Sequence, residues 1–512
     1  MKPSSRSYKE IPLEIVGSTK FGRYDKMSSE QTYNMIISDG WLVPCAGYKQ
    51  IQKIDPNGQG RGIYSSAKLN KMFAVINNDV FEFDTTLNRT HIGNIDTYGG
   101  DVFIAENNNG QIAFSDSNKL YIYNNGTGVF VDAGVSFIPG YLSFQNGRFV
   151  SPAKIGTIDN LWELSAVGNG LSWPGGTGNQ SALQTKPDRT VAAIRFPGRG
   201  NLLLVFGETV AEQWNDVGAA LFPYQRNPSI NIDFGCLNPS TIAEMDNIVC
   251  WLGANEKSGP VIMYSTGGDI DHISTDGIDF KLANLTEPSD CYGFMFKQDG
   301  HVCYVITWPT DNVSYMYDFN TKRFFTLTDE NQDAFIAKRV VFFNEKYYFV
   351  SIRDGNLYEF GTQYTDYDYG DDVKFEVPRI RIVPSIRLPD QSRFIAGYTG
   401  FTIEQGAIEY NNRDTVFDLM TEDYNYLTME NDILLGGGYN YANNVPRVDL
   451  TLSKDGGVTF GSTSSRPLNP LGKRQNRLAW WRLGQANDFV QQFRFLGFGR
   501  FVATNGITGI KL

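Results

Sequence analysis

Short apolar stretches separated by polar turns recur along the chain between residues 70 and 360. In the first example, apolar residues 72–76 precede the polar turn Asn77, Asn78 and Asp79, and residues 80–83 end in an aromatic ring. Apolar and polar residues alternate within such second stretches, a period of two that indicates β-strands. Asn, Asp and Gly adopt positive φ at low cost, as tight hairpin turns require. The pattern therefore predicts a series of β-hairpins.

Seven such hairpins follow one another. Their turn centres run from Asp79 to Asp354, so the six intervals average about 46 residues, and repeats of this length with several strands each are typical of β-propeller blades. A single hairpin cannot bury its apolar face, and stacking blades around an axis solves that problem. Because the intervals are uneven, a β-sandwich with long loops stays open as an alternative. The predicted hairpins lie at residues 72–83, 111–123, 142–150, 202–214, 248–264, 302–317 and 340–360.

The chain divides into four predicted parts around these repeats. Residues 1–60 lack the hairpin pattern and are expected to form an extended N-terminal arm, and residues 61–365 an irregular β-propeller-like domain. Residues 366–376 are acidic and are expected to form a linker. Apolar and polar positions alternate again after it, which predicts a second all-β domain, of the β-sandwich type, over residues 377–512. Helix signals are sparse, and residues 209–220 are the best candidate.

Composition supports a β-rich soluble chain whose charge is uneven. Of the 512 residues, 14% are aromatic and 52 are glycine, and the net charge of −11 argues against a surface devoted to nucleic acid. Residues 446–512 hold ten Lys and Arg against three Asp and Glu, a balance of +7 that leaves −18 elsewhere. Such asymmetry suggests two surfaces with different partners, or a solvated face neutralised by a neighbouring domain.

The cysteines and the apolar segments bear on the compartment. Five scattered cysteines without CxxC spacing argue against disulfides or a zinc module and favour a reducing compartment. The polar N-terminus does not resemble a signal peptide, and no apolar run approaches the roughly 18 residues of a membrane span. We therefore expect a protein that is made in a cytosol and stays soluble.

No catalytic, cofactor-binding or metal-binding residue is predicted. His91, His272 and His301 lack metal-ligand spacing, and the chain has neither a phosphate-binding loop nor a GxSxG elbow. The most specific motif is an Asp-box-like turn of the kind found in sialidases, in which an Asp carboxylate bonds turn amides. Its residues are Ser453, Asp455, Gly457, Thr459 and Phe460. Residues 274–280 form a weaker relative.

The Asp-box-like turn is interpreted as a folding device, and it keeps one alternative function open. Together with the many aromatic residues, the turn is compatible with a propeller glycosidase or carbohydrate-binding protein of the sialidase type. A sialidase needs an arginine triad, a Tyr–Glu nucleophile pair and an acid Asp, and the sequence assigns no residue to these roles.

Segments along nearly the whole chain resemble the packaged-DNA stabilisation proteins of short-tailed bacteriophages, also called tail hub or nozzle proteins. The best match is residues 203–214, followed by 218–224 and 232–236. Cys45 and Ala46 depart slightly from the family, which more often has Pro-Gly directly. The other similar stretches are Tyr33-Asn34 with residues 40–47, residues 60–64 running into 72–76, and residues 481–484 through 493–495 to the terminus.

This resemblance implies a structural virion protein of a short tail, assembled in the host cytoplasm, rather than an enzyme. Such proteins form a homohexameric ring below the portal and its adaptor ring, extend the DNA channel and help to retain packaged DNA. They also dock tailspikes or fibres and a tail needle. DNA is expected to pass through the lumen without sequence-specific binding.

The charge of the chain suits this implied role. Six copies at −11 each would carry −66, and an acidic lumen would repel DNA phosphates within a Debye length of about 8 Å. The basic segment 446–512 is then expected to face an acidic neighbouring ring. Within it, Lys473, Arg474 and Arg477 form a predicted partner-contact patch.

Overall fold

The computed structural model describes most of the chain, and its regular structure is almost entirely β. The described residues are 8–23, 30–196, 198–219, 221–267, 270–405, 416–418, 436–439, 446–468, 475–497 and 500–511. Within them, helical structure is confined to α1 (Asp276–Ala283) and two 3-10 turns, Gly176–Gly178 and Pro239–Thr241. The predicted all-β class is confirmed.

The N-terminal segment supplies five strands before the repeats begin. They are β1 (Lys9–Leu13), β2 (Gln31–Tyr33), β3 (Met35–Ser38), β4 (Trp41–Pro44) and β5 (Gly47–Asp55).

Seven antiparallel units, here called blades 1 to 7, follow in chain order. The first three comprise β6 (Gly60–Ser66), β7 (Lys71–Ile76), β8 (Asp79–Phe83) and β9 (Arg89–Asn94); β10 (Phe103–Glu106), β11 (Gln111–Ser115), β12 (Leu120–Asn124) and β13 (Val129–Asp132); and β14 (Ile138–Pro139), β15 (Ser143–Gln145), β16 (Arg148–Ile155), β17 (Ile158–Leu164) and β18 (Gln180–Ala182).

The remaining four blades have the same antiparallel order. They comprise β19 (Thr190–Arg195), β20 (Leu202–Gly207), β21 (Ala211–Asp216) and β22 (Tyr224–Ile232); β23 (Ala243–Met245), β24 (Ile248–Gly253), β25 (Val261–Ser265) and β26 (Ile270–His272); β27 (Tyr292–Gln298), β28 (His301–Trp308), β29 (Val313–Asp318) and β30 (Arg323–Thr326); and β31 (Ala337–Phe343), β32 (Lys346–Ser351) and β33 (Gly355–Gly361), completed by β5. Each of the seven predicted hairpins falls in a different blade.

The blades pack side by side in a ring, and each middle strand is covered on both faces by neighbouring blades. All five residues of β11 are buried, and its side chains alternate between two neighbours: Phe114 packs with blade 1 and Ala113 with blade 3. Such strands have near-continuous apolar sequences, since neither face meets water. An apolar cluster fills every junction between successive blades, including the junction between blades 7 and 1.

The ring closes through the N-terminal strand β5, which is the outermost of the four strands of blade 7. β5 runs antiparallel to β33 and pairs Tyr48 with Phe360. Tyr48 is fully buried, stacks on Tyr367 at 4.3 Å and donates a hydrogen bond of 2.6 Å to the hydroxyl of Tyr369. Closure of a ring by pairing its two ends removes the exposed edge that an open sheet would leave.

Most of the C-terminal strands build two further sheets against the propeller. The C-terminal strands are β34 (Asp366–Asp368), β35 (Lys374–Glu376), β36 (Arg379–Ile382), β37 (Ile386–Arg387), β38 (Phe394–Gln405), β39 (Val416–Asp418), β40 (Gly436–Tyr439), β41 (Arg447–Ser453), β42 (Ser464–Pro467), β43 (Gln475–Ala486), β44 (Asp488–Leu496), β45 (Phe501–Ala503) and β46 (Gly506–Lys511). Of these, β34 and β35 extend the sheet of blade 7, and β39 pairs with β40.

These two sheets pack face to face. Sheet S1 has the order β1-β46-β38-β45-β4-β3, with β43 also paired to β38. Sheet S2 continues blade 6 through β2 into β36-β44-β41-β42. Phe401 and Trp480 of S1 pack on Phe493 of S2, with ring centroids 5.3 and 5.7 Å apart. The expected additional all-β structure is therefore present, with a core shared by two sheets.

The strand pairings cross the predicted domain boundaries. Residues expected to extend as an arm instead pair with S1, with β36 and with blade 7. Within the expected acidic linker, β34 pairs with β5 and with β35. These segments lack the hairpin repeat because their partners lie far away in sequence. The division into four domains itself stays a prediction.

A buried ion pair fixes the N-terminal segment to the C-terminal sheets. The fully buried Arg381 on β36 contacts Glu30 at 2.5 Å. It also donates to the carbonyl oxygens of Glu14, Ile15 and Ser18 and to the hydroxyl of Thr32, at 2.9 to 3.1 Å. One guanidinium thus supplies hydrogen bonds to the backbone carbonyl groups of an irregular stretch between β1 and β2.

The helix predicted at residues 209–220 is wrong, because the strand β21 occupies half of this range. Ala211 packs toward blade 5 and Trp214 toward blade 3, so packing on both faces overrides the local propensity. The helix α1 instead lies within the weak Asp-box relative. Asp276 and Asp279 occupy its first turn, where the helix dipole favours acidic side chains, and Ile278 and Leu282 are buried four residues apart.

Candidate interaction surfaces and the propeller axis

Side chains from opposite blades meet across the propeller axis. Asp101 lies just before the inner strand of blade 2, Ser240 just before that of blade 5, and Lys338 on that of blade 7. The Lys338 ammonium lies 2.5 Å from the Asp101 carboxylate, and the Ser240 hydroxyl donates to the same carboxylate. Lys338 also lies over the Tyr292 ring of blade 6, 4.3 Å from its centroid. We call these four residues the axial cluster.

Larger side chains surround the axial cluster. Arg339 packs over the ring of Phe103, with its guanidinium carbon 6.0 Å from the ring centroid. Tyr141 lies near Arg339, and burial raises the pKa of its hydroxyl to about 12. Burial likewise raises the pKa of the Glu244 carboxyl, although Arg195 opposes the change. The axis is therefore filled by side chains and offers no passage to a DNA duplex.

The axial cluster links blades 2, 5, 6 and 7. Its one carboxylate, Asp101, contacts both Lys338 and Ser240. Glycosidases aim two carboxyl groups at one bond, and these four residues supply one. Sequence reasoning missed this cluster, because its members lie far apart in sequence and share only their place at the start of inner strands.

The predicted partner-contact patch is only partly described. Arg477 lies on β43, exposed on the outer face of S1 and opposite Thr402 of β38. Lys473 and Arg474 lie outside the described residues. The patch as a unit, and its role in contacting a partner, stay predictions.

The Asp-box-like residues form a hydrogen-bonded turn after β41. The Asp455 carboxylate accepts from the backbone N–H groups of Val458 and Thr459 at 3.0 to 3.1 Å and from the Thr459 hydroxyl at 2.6 Å. These bonds, with one from the hydroxyl of Ser453, lower the pKa of the Asp455 carboxyl. Gly457 donates its backbone N–H to Ser453 Oγ at 2.9 Å, and Phe460 is half-buried. A structural role for this turn stays our interpretation.

The histidines and cysteines occupy separate surroundings. His301 is buried between Asp318, 2.9 Å from its Nδ1, and Ser38, 3.1 Å from its Nε2, and so links blade 6 to S1. His91 and His272 are exposed beside Asp79 and Asp271. All five cysteines are buried free thiols.

The described residues contain neither a metal-binding cluster nor a membrane-spanning helix. No group of three or more His, Cys, Asp or Glu side chains in the described ranges is placed to hold a metal ion. No helix there is long and apolar enough to cross a membrane.

Solved structures similar to this chain are propellers of low sequence identity. A streptogramin B lyase aligns at 13% identity and a TM-score of 0.41, over 63% of this chain and 99% of its own. Virginiamycin B lyase from Staphylococcus aureus aligns at 11% and 0.38, over 69% and 98%. An ancestral GH74 enzyme aligns at 10% and 0.41, over 72% and 52%. At these TM-scores the likeness carries no weight for function.

A family comparison is more informative. No curated protein matches the chain. A family model for phage stabilisation proteins, described as bacteriophage P22 Gp10, beta-propeller, matches residues 29–365. That stretch runs from the start of β2 to the end of blade 7 and is about two thirds of the chain. The chain therefore belongs to the phage stabilisation family of bacteriophage P22 Gp10.

Proposed function

We propose that this protein is a structural component of a short phage tail. Six copies form a hub or nozzle ring below the portal and its adaptor, extend the DNA channel and help to retain the packaged genome. Membership of the phage stabilisation family supports this role. The proposed route of DNA depends on the filled propeller axis, where Asp101, Ser240 and Lys338, each from a different blade, are in contact.

The route of DNA follows from that closure. A duplex cannot pass through an individual propeller, so the channel must run between copies, lined by the outer surfaces of the blades or of the C-terminal sheets. Six copies at −11 each give the ring a charge of −66. An acidic wall repels phosphates at short range, so the genome slides without adhering. The basic segment 446–512 then faces a neighbouring ring rather than the channel.

Contacts with other tail proteins complete the proposal. Tailspikes or fibres and a tail needle dock on the ring, and adjacent copies contact each other through interfaces of more than about 1,000 Å². The protein performs no chemistry in this role. A propeller glycosidase is the competing proposal, and release of a sugar reporter that a single Asp or Tyr substitution abolishes would favour it.

An electron-microscopy map of the intact particle tests this function. We expect six copies around the DNA, with each propeller axis displaced from the DNA and Arg477 turned away from the channel. A monomer bound elsewhere, or DNA threaded through a propeller axis, would contradict the proposal. Arg477 lining the channel would refute the placement of the basic segment alone.

Variants of the axial cluster supply a second test. Lys338→Met breaks the ion pair with Asp101 but leaves the outer surfaces of the blades unchanged. Particles that incorporate this variant should retain DNA as the wild type does, because DNA does not contact the axis. Increased DNA loss from particles with a full set of folded copies would argue that the axis is part of the channel.

A further inference from the structure

A shallow cleft lies on the outer face of S1, away from the axial cluster. Its volume is about 380 Å³, within the range of small-ligand sites. The floor consists of small residues, Gly400 on β38, Ala479 on β43 and Gly506 on β46. Because these residues have little or no side chain, the larger residues around them stand as walls.

Aromatic rings form one wall and are held in place. Trp481 is 63% exposed, and its ring lies 5.0 Å from that of Tyr398 at an interplanar angle of 38°. Tyr398 donates a hydrogen bond of 2.6 Å to Glu10, and its ring lies where a Cβ on Gly509 would stand. Tyr8 packs edge-on against it at 5.7 Å. These contacts hold the Tyr398 ring in place before any ligand arrives, which reduces the entropy lost on binding.

Polar groups form the opposite rim. Arg477 and Thr402 face each other across two strands, and Asn505 stands beside Gly506. Among the described residues Arg477 has no carboxylate partner; Glu404 lies on the adjacent strand β38, and Glu10, which also lines the cleft, accepts a hydrogen bond from Tyr398 instead. Its guanidinium is therefore free to take a carboxylate from outside, in the paired geometry that arginine favours.

We propose that this cleft binds an acidic oligosaccharide, with a pyranose ring on Trp481 and Tyr398 and a uronic-acid carboxylate on Arg477. The exposed Trp481 ring, with the half-buried Tyr398 ring tilted beside it and hydrogen-bonding groups at the opposite rim, suits a sugar ring, which has apolar faces and a polar edge. Within the cleft, the Arg477 guanidinium favours an anionic group at the rim opposite the aromatic wall. A protein partner is less well matched, because charged and polar side chains interrupt the exposed apolar surface.

Calorimetric titration of the full chain with tetragalacturonate tests the proposal, with neutral cellotetraose as the comparison ligand. The wild type should bind tetragalacturonate more tightly than cellotetraose. Trp481→Ala should weaken binding of tetragalacturonate at least tenfold. Arg477→Gln should weaken it at least fivefold and leave cellotetraose binding unchanged.

Matched controls separate the cleft from a general surface effect. Trp41→Ala removes another exposed Trp of the same sheet, 44% exposed on β4, and Arg494→Gln removes an exposed Arg of S2. Neither should change the affinity. Absence of tetragalacturonate binding to the wild type, or equal losses in the cleft variants and the controls, would overturn the proposal. Thermal unfolding of each variant verifies that it is folded.

Discussion

Replacing Arg381 by Met tests whether one guanidinium holds the N-terminal segment in place. Among the described residues, the substitution leaves the buried Glu30 carboxylate with Lys20 alone, at 2.6 Å, and deprives the carbonyls of Glu14, Ile15 and Ser18 of this donor. Removing one partner of a buried ion pair costs about 3–5 kcal/mol. The lost carbonyl bonds, each worth about 1 kcal/mol, place the expectation at the upper end of that range.

The loss should be local, because the side-chain hydrogen bonds of Arg381 given above all go to residues between Glu14 and Thr32. Hydrogen exchange measured by mass spectrometry should therefore show the opening free energy of residues 9–33 falling by about 3–5 kcal/mol, while blades 2 to 4 keep theirs. Adding Glu30→Gln to the same chain should recover part of the loss, since no unpaired buried charge then remains.

A control and a refuting result complete this test. Arg494→Met removes an exposed Arg from the adjacent strand β44 and should change stability by less than about 0.5 kcal/mol. If Arg381→Met changes exchange between β1 and β2 no more than this control does, the ion pair does not fix the segment. A uniform change across all blades would instead mean that Arg381 supports the whole ring.

Three further predictions concern ring closure, pH and the Asp-box-like turn. Tyr48→Ala should lower the free energy of unfolding by about 3–5 kcal/mol, because it empties a fully buried aromatic site in blade 7. Tyr48→Phe loses only the hydrogen bond to Tyr369, which is worth about 1 kcal/mol. Urea unfolding measures both losses, and equal losses would contradict the importance of the aromatic ring of Tyr48. Burial raises the pKa of the Glu163 carboxyl to about 7. The protonated carboxyl therefore favours the folded state, and its contribution to the free energy of unfolding, about 1–3 kcal/mol, is lost as the pH rises from 4.5 through 7. Glu163→Gln should remove this loss between pH 5 and 8, as thermal unfolding across that range would record, and the exposed Glu345→Gln should not; parallel pH profiles of the wild type and Glu163→Gln would exclude the effect. Asp455→Ala should speed hydrogen exchange at the turn after β41 without lowering the midpoint of global unfolding, and unchanged exchange there would mean that the carboxylate does not hold the turn.

The repeated part of the fold could be predicted from the sequence, because each blade repeats one local pattern. The apolar residues of β8 and β12 are the ones buried in the structure, and Asp79 and Asp354 mark turns. The N-terminal strands could not be predicted in the same way. Their partners are set by pairings such as Tyr48 with Phe360, more than three hundred positions apart, and no local pattern encodes such a pairing.

The same distinction between local and long-range contacts applies to the candidate sites. The Asp-box-like turn is local, so its residues could be found in the sequence, and Arg477 was found through the charge of its segment. The axial cluster and the cleft were missed, since Asp101, Lys338 and Trp481 gain their neighbours only when separate strands come together. The wrong helix at residues 209–220 has the same origin, because burial on both faces decided the strand β21.

The pairing of β5 with β33 has a consequence for the order of events on the ribosome. A chain grows at about 5–20 residues per second, so residues 47–55 wait roughly 15–60 s for residues 355–361 to be made. During that wait an unpaired strand is available to any nascent neighbour translated from the same message. Exchange of β5 between two such chains would produce an interlocked dimer, so correct folding requires each chain to capture its own β5.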